Sequence, residues 1–204
     1  MTVPILLASS SPRRRELLAS LGLTFEVAAA DIDETLRDGE SAFDGAQRLA
    51  REKAAVVANK RPDALVIAAD TLVVLDGAAL GKPGDADTAR RMLRGLAGRW
   101  HEVVTGVAVA MGGATRSARE ITRVEFAPLT DDEIERYVAS GEPLDRAGAY
   151  AMQERAGLFV TRVDGSPSNV IGLPVRLART LALELGVDLL SPLRTTHNAQ
   201  RRTS

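Results

Sequence analysis

The chain has 204 residues, no cysteine and a net charge of −1, from 26 Lys plus Arg against 27 Asp plus Glu. This length supports one large domain with a real core, and the charge balance argues against a general nucleic-acid or membrane-surface binder. Without cysteine, disulfides, thiolate catalysis and zinc–thiolate sites are excluded. His101 and His197 are too few for a His-based metal site, so chemistry must rest on Asp, Glu, Lys, Arg, Ser or Thr.

The N-terminus lacks the basic and long apolar regions of a signal peptide, and no apolar run is long enough to span a bilayer. The expected compartment is the cytoplasm. Residues 3–8 read as a buried strand running into a serine-rich loop, followed by a helix over 13–21 that Gly22 stops. A short strand over 24–27 leads into an acidic loop over 28–40. Residues 41–60 carry apolar side chains at helical spacing.

Residues 64–75 form a nearly continuous apolar, strand-like run broken only by Asp70 and Thr71, and Asp76-Gly77 is a hairpin signal. A return strand begins near Ala79, and a helix is expected over 85–96. Residues 101–111 and 115–126 alternate as two strands around Gly112-Gly113. Thr130 and Glu133 make a capping box for a helix to about Ala139. A strand over 158–163, a turn-rich loop over 166–174 and a helix over 175–185 complete the pattern. Strands and helices mix without strict alternation, which predicts an α/β or α+β fold with a mixed sheet. Residues 1–193 are expected to form one domain, and residues 194–204 a tail without order.

Two clusters stand out. In Ser9-Ser10-Ser11-Pro12-Arg13-Arg14-Arg15, Ser11 suits an N-cap and Pro12 the first helical position. Three arginines in a first turn oppose the helix dipole, which makes sense if an anion sits there among free N–H groups, hydroxyls and guanidinium forks. The alternative is a solvated helix start. Asp70 is the second cluster: a carboxylate inside an apolar strand is expensive and needs a cation, either a metal or a lysine. Its alternative is a structural salt bridge at a strand end. By residue type alone, Glu34 reads as part of a solvated acidic loop, Lys53 as a surface lysine, Gln153 as polar surface and His101 as structural.

These stretches, taken in order, resemble the Maf family of nucleoside triphosphate pyrophosphatases. The matches are LASSSPRR (7–14), RLAREKA (48–54), AADTLV (68–73), LGKP (80–83), HEVVTGV (101–107), GAYAMQ (148–153) and NVIGLP (169–174). The resemblance implies an elongated α/β fold with a central cleft between two lobes, similar to inosine triphosphate pyrophosphatases. It implies hydrolysis of a nucleoside triphosphate between the α and β phosphates with a divalent cation (Mg²⁺, Mn²⁺ or Co²⁺). By this resemblance Asp70 is the general base and a metal ligand, Glu34 helps hold the metal, and Ser9, Arg14, Lys53 and Lys82 hold the triphosphate.

The set Arg13, Thr71 and Gln153 is similar to that of the branch that prefers dTTP and UTP. Ser10 and Glu154 stand where Gly is common, and Met152 where Ile is usual; Glu154 adds a charge beside Gln153. A homodimer is compatible with the sequence, which does not itself show the oligomeric state. The alternatives are a nucleotide-binding regulator of cell division without essential catalysis, or the same chemistry on a modified or purine nucleotide.

Overall fold

A computed structural model describes residues 3–190; the tail expected over 194–204, and His197 with it, lie outside the described residues. The elements are β1 (Ile5–Leu7), α1 (Pro12–Ser20), β2 (Glu26–Val27), α2 (Ala42–Ala58), β3 (Leu65–Leu75), β4 (Ala78–Leu80) and α3 (Ala86–Leu96). They continue with β5 (Trp100–Met111), β6 (Ala114–Phe126), α4 (Asp131–Ala139), β7 (Val160–Asp164), α5 (Pro167–Ile171) and α6 (Val175–Leu183). The strands form one seven-stranded mixed sheet in the order β2-β1-β3-β5-β6-β7, with β4 pairing β3. Among the described residues, no helix is long and apolar enough to cross a membrane.

β3 is apolar apart from Asp70 and Thr71 because both of its faces are covered. Val66 and Ala68 face α2, packing with Ala50, Ala54 and Val57. Their neighbours Ile67 and Ala69 face the other way, against Leu18 of α1 and Ala178 and Leu181 of α6. Alternation therefore sends Asp70 to the α2 face and Thr71 to the opposite one. Asp76 and Gly77 both have positive φ, 51° and 81°, as a two-residue hairpin turn between right-twisted strands requires.

Two expectations are corrected. The loop over 166–174 contains α5: Ser166 caps it by accepting from the Asn169 N–H, and Pro167 fits its first turn. The strand expected over 158–163 starts later, because Arg155–Leu158 winds into a 3-10 turn before β7. Both are local turn chemistry that a purely apolar pattern overlooks.

The topology leaves one edge of β3 open at its middle. β1 runs parallel to β3 only as far as Ile67, and β4 joins antiparallel only from Val73. Residues 68–72 lie between these two partners on that edge. After Leu7 the chain leaves the sheet, with the Ala8 N–H donating to the Ile67 carbonyl, and the serine-rich loop turns across the gap. A break in strand pairing beside the end of a parallel strand is where open α/β sheets bind ligands.

Candidate active site

A cavity of about 380 Å³ occupies this gap, a volume in the range of small-ligand sites. Ser9, Arg13, Arg14, Glu34, Lys53, Asp70, Thr71, Lys82 and Gln153 all line it. Because the cavity wraps the open edge of β3, Asp70 and Thr71 both reach it, although their side chains leave opposite faces of the sheet.

On the α2 face, Asp70 and Lys53 are buried at 5% and 6% exposure. Lys53 Nζ donates to Asp70 Oδ1 at 2.6 Å and pairs with Glu34 Oε1 at 2.9 Å. The cation that Asp70 needs is thus Lys53, which residue type alone assigns to the surface. Lys82, one hairpin further on, is not that lysine: it is exposed and pairs with Asp145 at 2.5 Å. Burial raises the Asp70 carboxyl above its ordinary range, and the nearby Lys53 ammonium partly opposes the rise. Such a carboxylate is a better proton acceptor than an exposed one.

Glu34 sits on a loop fastened to α2. Arg48 grips Glu40 through two hydrogen bonds of 2.7 Å and donates to the Thr35 carbonyl at 3.1 Å. The Arg48 fork pulls the Glu40 carboxyl down to about 2. The residue after Glu34 is therefore tied to the helix that carries Lys53.

On the opposite face, Arg14 makes three hydrogen bonds to neutral oxygens. They are the Gly172 carbonyl at 2.8 Å, Ser9 Oγ at 3.1 Å and Thr71 Oγ1 at 3.0 Å. Ser11 occupies the N-cap of α1, but its hydroxyl makes no cap bond; its N–H donates to Ser9 Oγ instead. Arg13 is half-buried, and its guanidinium is pushed below its ordinary range by burial and then by the charge of Arg146.

Arg146 is a lining residue that the motifs do not include. It pairs with Glu154 at 3.2 Å, so the unusual charge beside Gln153 has a cation of its own. In the sequence Arg146 is marked only by its place two residues before Gly148, which the structure shows with a φ of +66°. A Cβ at Gly148 would lie 2.8 Å from Val73 Cβ, so this segment packs directly on β3. Gln153 is exposed, and no hydrogen bond engages its amide among the described residues. His101 is structural, with Nε2 2.8 Å from the Tyr150 hydroxyl in a cluster that includes Phe126.

The Asp70, Glu34 and Lys53 arrangement suits phosphate chemistry. Among the described residues there is no group of three or more metal-ligating side chains. Asp70 and Glu34 both meet the Lys53 ammonium, and two carboxylates lining one cavity suit a hard divalent cation that completes its shell with water and substrate oxygens.

The sequence and fold comparisons agree with each other. The model of the Maf-like protein family matches residues 4–185. A dTTP/UTP pyrophosphatase of Chromobacterium violaceum is 52% identical over 190 residues, covering 91% of this chain and 96% of the relative. A dTTP/UTP pyrophosphatase of Anaeromyxobacter dehalogenans is 55% identical over 187 residues, covering 90% and 93%. In fold, the chain is similar to the Ham1 protein of Staphylococcus aureus, with a TM-score of 0.51 at 18% identity over 89% of this chain and 99% of that one. With the family model spanning nearly all the described residues and half the positions identical to relatives aligned over more than nine-tenths of their length, the chain belongs to the Maf family.

Proposed function

We propose that the chain hydrolyses nucleoside triphosphates, dTTP and UTP foremost, to the monophosphate and pyrophosphate, and so removes unwanted or modified nucleotides. The observation that carries this reading is the pairing of two features in one cavity: a buried carboxylate, Asp70, and an arginine, Arg14, that bonds no carboxylate among the described residues. A cation that no carboxylate bonds favours an anionic ligand, and a carboxylate with a raised proton affinity favours a step that takes up a proton. Family membership and the names of its close relatives support the same chemistry.

In this reading Arg14, Lys53, Lys82 and Ser9 bind the triphosphate and offset the charge that builds on the leaving pyrophosphate. Asp70 accepts the proton of the water that attacks the α-phosphorus. Glu34 and Asp70 would hold a divalent cation, which when bound neutralises phosphate charge and acidifies water. Arg13, Thr71 and Gln153 select the base, with Arg146 holding Glu154 aside from Gln153. Residues 1–193 act as one catalytic domain in the cytoplasm, working as a homodimer.

The test is pyrophosphate release from a panel of nucleoside triphosphates with Mg²⁺, Mn²⁺ or Co²⁺. Turnover should be highest for dTTP and UTP. Asp70→Asn should lose at least about a hundredfold in kcat, the usual scale for removing a general base, while keeping its fold by circular dichroism. Near-normal turnover in that variant, or nucleotide binding with no pyrophosphate from any substrate, would sink the proposal.

A further inference from the structure

Arg14 poses a problem of charge. Its guanidinium is packed among protein groups, and burial pushes its pKa below the ordinary arginine value. Desolvated cations are normally paired with carboxylates, yet each of the three acceptors of Arg14 is neutral, and the Asp70 and Glu34 charges act on it only through space. A further source of negative potential lies behind one of them.

Thr71 Oγ1 accepts from Arg14 and lies 3.0 Å from Thr105 Oγ1 on β5. Thr105 Oγ1 in turn lies 3.0 Å from the backbone carbonyl of Asn169 on α5. Thr105 and Asn169 are both fully buried, so the Thr105 hydroxyl is not left to solvent.

A hydroxyl has one proton, and a carbonyl has none. The Thr105–Asn169 contact therefore consumes the Thr105 proton. Thr105 is left with lone pairs only, so the Thr71 proton must point at Thr105. Thr71 then has lone pairs only for Arg14. Its longer approach to the Gly172 carbonyl, at 3.4 Å, receives no proton; that oxygen already accepts from Arg14 Nε at 2.8 Å. This is the one arrangement in which every contact of 3.0 Å or less along the chain holds a proton.

The result is a one-way chain from Arg14 through Thr71 and Thr105 to the Asn169 carbonyl. Every dipole in it turns its negative end toward the guanidinium, and successive bonds polarise one another. Its far end is fixed, because Asn169 Nδ2 donates to the Val103 carbonyl and to Thr122 Oγ1, each at 2.9 Å.

We infer that Thr105 is a positioning residue for substrate. Acting through Thr71, it aims the Arg14 guanidinium and adds neutral dipoles to the through-space charges of Asp70 and Glu34, so that no carboxylate bonds the guanidinium in place of the incoming phosphate. The inference rests on the reading that Arg14 binds a substrate phosphate.

The test is steady-state kinetics of pyrophosphate release from UTP with Mg²⁺, alongside melting curves. Thr105→Val keeps the shape of the side chain and removes its proton and lone pairs. It should raise KM about tenfold, the scale of weakening one charge-assisted contact, with kcat changed much less. Thr105→Ser should restore KM to near the wild-type value. Arg14→Lys supplies the reference, and adding Thr105→Val to it should raise KM little further, since the two act on one contact. If Thr105→Val does not fold, Thr105→Ala is judged by the same criteria. An unchanged KM in the Thr105 variant, with KM raised in Arg14→Lys, would overturn the inference and leave the phosphate-binding reading standing. An unchanged KM in Arg14→Lys would instead overturn the phosphate-binding reading itself.

Discussion

Lys53 holds two carboxylates at once, 2.6 Å from Asp70 and 2.9 Å from Glu34, while only Glu34 is open to solvent. A buried pair of this kind is a weak source of stability but costly to break from one side. Its meaning is therefore more chemical than structural: the ammonium favours the ionised form of Asp70 against the burial that raises its pKa. His101 shows the opposite solution, a buried group kept neutral. Burial pushes its imidazole down to about 4 from an ordinary 6.5. The stability from keeping it neutral is fully present above pH 6.5 and is lost as pH falls through about 4, because the unfolded chain takes up the proton first. By pH 4 the loss should reach roughly 3 kcal/mol, since each pH unit between the unfolded and folded values contributes about 1.4 kcal/mol. Urea unfolding of wild type and His101→Leu across that range isolates the effect. Parallel profiles for the two proteins would show that the ring is not buried neutral.

At the scale of elements, the site depends on how closely α2 approaches the sheet. Gly106 on β5 is the register partner of Asp70, and directly opposed residues in an antiparallel pair share a face. A Cβ at Gly106 would lie 2.2 Å from the Ala46 carbonyl oxygen of α2. The missing side chain lets the helix backbone rest on the strand, and Lys53, two turns along α2, then reaches Asp70. Gly106→Ala should push the helix outward, costing about 1–3 kcal/mol and a melting temperature lower by several degrees. Turnover should fall with it, because Lys53 and Asp70 separate. A variant that melts and turns over like wild type would show that the contact yields without moving the helix.

At the scale of the molecule, the cavity draws on elements far apart in the chain. β3 supplies Asp70 and Thr71, α1 the arginines, α2 Lys53, the 28–40 loop Glu34, and the segment after α4 Arg146 and Gln153. A ligand that touches all of these should stabilise the whole structure. A non-hydrolysable UTP analogue with Mg²⁺, present at about a hundredfold over its Kd, should add about 2.7 kcal/mol. That corresponds to a melting shift of roughly 5–10 °C for a chain of this size. Chelating the cation and raising the salt should each shrink the shift, since the contacts are between charges. A shift indifferent to both would mean the analogue is held by apolar contacts elsewhere.

Much of this was legible in the residues. The buried run around Asp70, the Asp76-Gly77 turn, the Thr130 capping box and the long helix over 41–60 rest on local patterning, and each has its counterpart in the structure. The ordered motifs also named nine residues that line one cavity. Harder to read were contacts between distant elements. Nothing local distinguishes Lys53 from an exposed lysine, because its burial depends on a glycine in β5. Arg146 and Glu154 become partners only when the 3-10 turns fold back. Thr105 and Asn169 are ordinary polar residues until the sheet and α5 close over them.

By itself, the sequence determined which chemistry was available: a chain without cysteine, with a carboxylate that had to find a cation and arginines placed where an anion would be welcome. The tertiary structure alone decided which lysine met Asp70, that Asp70 and Thr71 reach one cavity from opposite faces of the sheet, and in which direction the hydroxyl protons behind Arg14 point. The reason is physical. Strand and helix periodicities are written in neighbouring residues, whereas ion pairing and proton direction depend on distances between elements, set here by where β1 leaves β3 and how near α2 comes to Gly106.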